Sequence, residues 1–229
     1  MGLSPDETFP SRYVRECSQQ SLNKLELEAI DVKQGYVWQN EWVGEKNWLE
    51  AVEDPKREGK IHFFGTPIND YQLSNAIKLI ETCVVDTVQL IYNVFDQSPE
   101  EGLFPAWYKH NIGVIVRVPF NEGALPGTIT PETTFEEGDL RNDYFRSDHK
   151  REVYERVRAI VSERGVGEDE MAKVAPCYVL SYPVVSTVIP GMRSVRNVEG
   201  NMAVGDGKSL PEGRVQRLKA HSWVRNFYA

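Results

Sequence analysis

The chain has 229 residues, 41% hydrophobic and 26% charged, the make-up of a globular protein with room for one large α/β core or two small ones. Its 34 acidic residues outnumber 26 basic ones, and the net charge of −8 excludes the basic face that nucleic acid or an anionic membrane would require. Three widely spaced cysteines with no Cys-x-x-Cys pattern, no basic-then-apolar leader and no run of 18 apolar residues predict a reduced, cytoplasmic chain.

In chain order, an extension over 1–9 leads to a helix from Pro10 to Lys24, with Tyr13, Val14, Cys17, Ser21, Leu22 and Leu25 at helical spacing. Residues 29–38 read as a strand, with Gly35 a point of weakness or close approach. Asn47 to Glu58 reads as a helix that Pro55 should truncate or kink in its last turn. A strand over Ile61–Gly65 and a helix from Tyr71 to Thr82 follow, with Leu73, Ala76, Ile77 and Ile80 expected to face inward. Then come a strand from Thr87 to Tyr92 and a helix from Pro99 to Asn111.

The stretch from Gly113 to Gly127 organises the rest. Val114 to Val118 is apolar and mostly β-branched except for Arg117, after which Pro119 stops the strand and a glycine-bearing loop begins. That pattern predicts a buried parallel strand delivering a loop to the carboxyl end of a sheet, where α/β proteins place their sites. An arginine in such a run is costly unless it faces water or an anion, so Arg117 is the sharpest single pointer to a site, and a salt bridge to a neighbouring helix is the plainer reading. The following segment, 119–146, is a long loop on the active face. Helices are predicted over Lys150–Arg164 and Asp169–Ser181, a last strand over Val184–Ile189, and helices over Val195–Val204 and Glu212–Ser222, the latter within a C-terminal tail of 205–229. Alternation of strand and helix implies about five parallel strands in a single α/β domain spanning 1–229.

Several of these stretches together resemble the aldo/keto reductase family: Glu58 to Gly65, Val85 to Asn93, Ile112 to Ile115, Pro119-Phe120 with Gly123 and Leu125, Gly138-Asp139 with Arg141, and Ser186 to Ser194. The resemblance implies a (β/α)8 barrel of which about five strands are represented, an incomplete TIM barrel, and an NADPH site. It also implies redox chemistry that needs a Tyr proton donor, a tuning Lys and Asp, and a His on the fourth strand. Against that pattern no counterpart of the Asp, Tyr or Lys is found, and the His position falls on Tyr36. By the same resemblance Gln89 matches a carboxamide binder, and Gly191, Arg193, Ser194 and Asn201 match residues that hold the adenosine phosphate and adenine. Pro67 and Arg117 replace the Ser and the stacking Tyr of the nicotinamide end. The expectation is therefore no cofactor, with NADPH as a vestigial or alternative one.

Five strands do not close a barrel that needs about eight, so a homodimer or larger assembly is expected to cover the open edges. The expected site takes Tyr36 as proton relay and Arg117 as carbonyl or anion clamp, with Trp38, Thr66, Tyr92, Asn93, Asn121 and Glu122 lining a small-molecule substrate pocket. Packing is the plain alternative for Tyr36 and Trp38. His62, His110, His149 and His221 lack partners at ligand spacing, which argues against a metal, and the pairs Glu100-Glu101 and Glu136-Glu137 read as solvated faces. The leading functional expectation is a non-redox acid/base step, such as cyclisation, isomerisation or elimination, on a small carbonyl-bearing metabolite in secondary metabolism. The alternatives are an NADPH-dependent reductase with a reorganised site and a non-catalytic subunit or binding protein.

Overall fold

The computed structural model describes residues 11–35, 46–68, 74–81, 83–163 and 168–225. Among them the order is α1 (Ser11–Leu25), β1 (Ile30–Gln34), α2 (Lys46–Arg57), β2 (Ile61–Pro67), α3 (Ser74–Glu81), β3 (Thr87–Ile91) and α4 (Pro99–Lys109). Then follow β4 (Gly113–Arg117), α5 (Arg141–Tyr144), α6 (His149–Ser162), α7 (Glu168–Leu180), β5 (Val185–Val188), α8 (Val195–Met202) and α9 (Glu212–Lys219). The five strands form one sheet in the order β1-β2-β3-β4-β5, and the registers Val32↔Phe63 and Pro67↔Gln89 are parallel. The expected sheet of about five parallel strands is therefore present.

The chain divides into two compact units, one running to Leu90 with Glu101–Val114, the other made of Ile91–Glu100 and the residues from Ile115 onward. In the first unit α2 buries Trp48, Ala51 and Val52, and α3 buries Ala76, Leu79 and Ile80. On α3 the inward set differs from expectation among the described residues, since Ile77 is exposed and Leu79 is buried instead, while the expected Leu73 lies outside them. A 3.6-residue period leaves two such phases open when a helix is eight residues long. Among the described side chains of α1, Ser18 and Leu22 are fully buried and Tyr13 and Leu25 stay exposed, so the packed stripe is narrower than the sequence suggests. Pro55 does not cut α2 short, which runs on to Arg57. So close to the carboxyl end the missing N–H removes a single bond of the ladder.

The strands show what kind of sheet this is. On β3 and β4 alternate residues are buried, Val88 and Leu90 on one and Val114 and Val116 on the other, while Thr87, Gln89, Ile91, Gly113, Ile115 and Arg117 are half-buried. On β1 and β2 the cross-strand partners Val32 and Phe63 are 38% and 51% exposed. On β3 and β4 one face is thus packed dry and the other is more open, whereas β1 and β2 expose the adjacent pairs Asp31-Val32 and His62-Phe63 and do not alternate.

In the second unit α6 buries His149, Val153, Val157 and Ile160. His149, expected in a surface helix, is buried, and its Nδ1 lies 3.2 Å from the Tyr144 carbonyl. The long loop expected over 119–146 contains the four-residue helix α5. Past α9 the backbone N–H of Trp223 donates to the Phe95 carbonyl at 2.8 Å, and the Arg156 guanidinium covers the Trp223 ring at 4.1 Å. No described helix is long and apolar enough to cross a membrane.

Candidate functional site

The site is built in the second unit by three segments, the exit from β4, the loop helix α5 with its approach, and the turn before α8. Arg117 is the last residue of β4 and lies on its half-open face. The chain then reverses through Val118, Asn121 and Glu122, all in the left-handed region at φ 56, 50 and 53, followed by Gly123 at φ 94. A β-branched residue there is strained, at a cost of roughly 1–3 kcal/mol. Asn93 helps to hold the strained peptide, since its Nδ2 donates to the Val118 carbonyl at 3.1 Å and its Oδ1 accepts the N–H groups of Phe95 and Asp96 at 2.9 and 3.0 Å. Asn121 is 3% exposed, and its Oδ1 is buried with no partner among the described residues.

Ahead of α5, Asp139 takes the whole edge of Arg141: Nε reaches Oδ1 at 3.0 Å, Nη2 reaches Oδ2 at 2.6 Å, and the backbone N–H of Arg141 adds a bond to Oδ1 at 2.9 Å. The Arg141 guanidinium also covers the Phe135 ring at 4.5 Å. Those hydrogen bonds, first from the side chain and then from the backbone of Arg141, pull the Asp139 carboxyl down to about 2, and the charge of Arg193 adds to the effect. Glu122 in turn adds to the field that keeps Arg141 charged. Glu122, Arg141, Asp139 and Arg193 therefore form a string of alternating charge linking the three segments.

We expect carboxyl NMR to place the Asp139 midpoint near 2, and Arg141→Ala to return it toward its ordinary value of 3.8. Because the pKa is depressed, the pair's contribution is complete above that ordinary value and is lost as pH falls toward 2. A midpoint unmoved by Arg141→Ala would contradict the pairing.

The third segment is pre-shaped by its own side chains. Ser194, in an extended conformation, caps α8 by accepting the Asn197 N–H at 3.2 Å, and Asn201 Nδ2 reaches back to the Gly191 carbonyl at 3.1 Å. Gly191, Met192 and Arg193 are exposed, and α8 has no acidic residue in its first turn and no buried residue. The free N–H groups of a helix start, its positive dipole end and Arg193 beside it are the donor set that a phosphate monoester fits.

The other expected site residues stand as follows. Tyr36 and Trp38 lie outside the described residues. Thr66, on β2 of the first unit, is 3% exposed, and Gln89 in that unit is half-buried with its carbonyl accepting the Ile68 N–H at 2.8 Å. Tyr92, like Asn93, is fully buried, and its polar atoms are engaged with protein.

The Tyr92 hydroxyl leads to a cluster that sequence reasoning missed. Glu100, read as part of a solvated face, has only 9% of its side chain exposed. Its Oε1 accepts from Tyr92 and Tyr178 at 2.7 and 2.9 Å, and its Oε2 accepts from Tyr182 at 2.9 Å and pairs with Lys219 Nζ at 2.5 Å. Burial pushes this carboxyl up, but the bonds from Lys219 and the three phenols outweigh it and hold it below its ordinary value. Burial is also the main reason that Tyr92, Tyr178 and Tyr182 are pushed up. The spacing of Tyr178 and Tyr182, four apart at the end of a helix, was the available signal.

A family model described as the aldo/keto reductase family matches residues 5–222. Among curated relatives, the aldo-keto reductase YhdN of Bacillus subtilis (strain 168) is 28% identical over 132 residues, covering 58% of this chain and 39% of that protein. The probable aldo-keto reductase 1 of Glycine max is 24% identical over 199 residues, covering 83% and 54%. The chain thus spans about half or less of the length of these relatives. Two solved structures share its fold at 22% identity. The holo form of aldo-keto reductase AKR11C1 from Bacillus halodurans has a TM-score of 0.72 over 96% of this chain and 71% of that one. The glycerol dehydrogenase AKR11B4 from Gluconobacter oxydans has a TM-score of 0.75 over 92% and 64%.

Proposed function

The chain belongs to the aldo/keto reductase family, and on that premise we propose that it is an NADP(H)-binding protein of the oxidoreductase type, gripping the cofactor by its adenosine-phosphate end. One observation carries this reading: the turn ahead of α8 is fixed from both sides, by the Ser194 cap and by the Asn201 clasp on Gly191, so that Arg193 and free backbone N–H groups face solvent together. Pre-organisation of that kind lowers the ordering cost of binding. The donors fit a 2′-phosphate and the neighbouring adenosine. When bound, the cofactor supplies a hydride to a carbonyl or takes one from an alcohol. This chain's residues bind and orient it: Arg193 and Ser194 hold the phosphate, Asn201 holds the turn, and the Asp139 carboxylate, clamped by Arg141, interacts with the charge of Arg193.

The test is a fluorescence titration with NADPH and NADH. Wild type should favour NADPH, and Arg193→Ala should weaken NADPH by about tenfold or more, the worth of one charge-assisted contact, while leaving NADH nearly unchanged. Equal affinities for the two nucleotides in wild type and variant would overturn the assignment.

A second reading, a non-redox acid/base step on a small carbonyl compound, is favoured by Arg117. A half-buried cation, bracketed by a strained peptide at the end of β4, suits polarisation of a carbonyl or capture of a carboxylate. Under this reading turnover persists without nucleotide and falls in Arg117→Ala. Under the first reading it requires NADPH.

A further inference from the structure

The first unit holds a cavity of about 440 Å³ that the nucleotide reading does not use. It lies at the amino-terminal ends of β3 and β4, where Thr87 and Gly113 begin their strands. Phe63, Ile80, Val85 and Ile112 supply apolar walls, and Phe63 is 51% exposed.

The polar lining combines two helix ends with one carboxylate. The pocket receives Cys83 just past α3 and His110 and Asn111 just past α4, so two helices present their carboxyl ends to it. Cys83 and Asn111 both take left-handed backbone there, at φ 56, which turns the chain sharply out of each helix. Helix carboxyl ends carry partial negative charge. Asp86 adds a carboxylate to the lining, and its described side-chain partners, the Phe64 N–H and Lys56 Nζ, both bind Oδ2 at 2.7 Å. Among the described lining residues there is no lysine or arginine, and Lys56 reaches the site only through its ion pair with Asp86.

We propose that this cavity is a second small-molecule site, one that takes a compact aromatic amine. The ring packs on Phe63, Val85 and Ile112, and the ammonium group is held by Asp86 and the helix carboxyl ends. An apolar body with one or two fixed polar anchors is the ordinary composition of such a pocket. An aromatic acid of the same size meets the same walls with the wrong charge.

Cys83, exposed at the rim, reports occupancy. Wild-type protein is alkylated with iodoacetamide, and each cysteine is followed by peptide mass spectrometry in the presence of tryptamine or indole-3-acetate. Tryptamine at ten times its dissociation constant should slow Cys83 about tenfold, with Cys17 and Cys177 unchanged. Indole-3-acetate should protect Cys83 far less. Phe63→Ala should lose the protection while keeping the wild-type rates at Cys17 and Cys177, which shows that the fold is intact. An unchanged Cys83 rate at millimolar tryptamine, equal protection by the two indoles, or full protection in Phe63→Ala would each overturn the proposal. None of these results depends on nucleotide binding.

Discussion

Replacing Glu100 with alanine should cost about 2–6 kcal/mol of stability, about 1–3 for each of the two fully buried phenol donors left without an acceptor. The reason is the number of groups left behind. Three phenolic hydroxyls and one ammonium converge on this carboxylate, and Tyr92 and Tyr178 are fully buried, so neither hydroxyl has water to turn to. The carboxylate also sits in the first turn of α4, where the helix dipole favours a negative charge. Glu100→Gln keeps one acceptor oxygen and loses the charge, so it should fall between wild type and alanine.

Because the Glu100 carboxyl is held below its ordinary value of 4.5, the charge contributes fully above that pH and is lost as pH falls through the lowered pKa. The stability gap between wild type and Glu100→Gln should therefore narrow in acid. Urea denaturation across pH 3 to 7 measures both effects. An alanine variant with a wild-type midpoint would mean that the cluster does not form.

The second large effect concerns Gly65 on β2. A Cβ built there would lie 2.1 Å from Thr87 Oγ1 and 2.3 Å from Gln34 Nε2, two atoms that are hydrogen-bonded to each other at 3.0 Å. Gly65→Ala must therefore push apart a side-chain bridge across three strands, and overpacking of this kind costs about 1–3 kcal/mol. The Gln34 end has some freedom to swing, but Thr87 is β-branched and stiff. Adding Thr87→Ala removes the closest atom, so the double variant should recover part of the loss. Strictly additive losses would show that the two residues do not meet.

How far the sequence alone reached can be judged from particular elements. The strands were legible because they are short apolar, largely β-branched runs bounded by helices and turn residues, and Arg117 was legible because a charge in such a run is conspicuous. The turn before α8 was visible from its resemblance to a family motif, and the structure adds how Ser194 and Asn201 shape it. Glu100 was misread because two adjacent carboxylates at the start of a helix look solvated when read locally. The phenols and lysine that bury it, apart from Tyr92, come from distant parts of the chain. The burial of His149 and the packing phase of α3 were hidden for the same reason, since tertiary contacts decide between equally good local alternatives.

The most direct test of the account is calorimetric titration with 2′,5′-ADP, which offers the α8 turn the phosphate and adenosine of the cofactor without its nicotinamide. We predict one site per chain, weakened in Arg193→Ala and retained in Arg117→Ala. Absence of binding at millimolar nucleotide, or binding indifferent to Arg193, would contradict it.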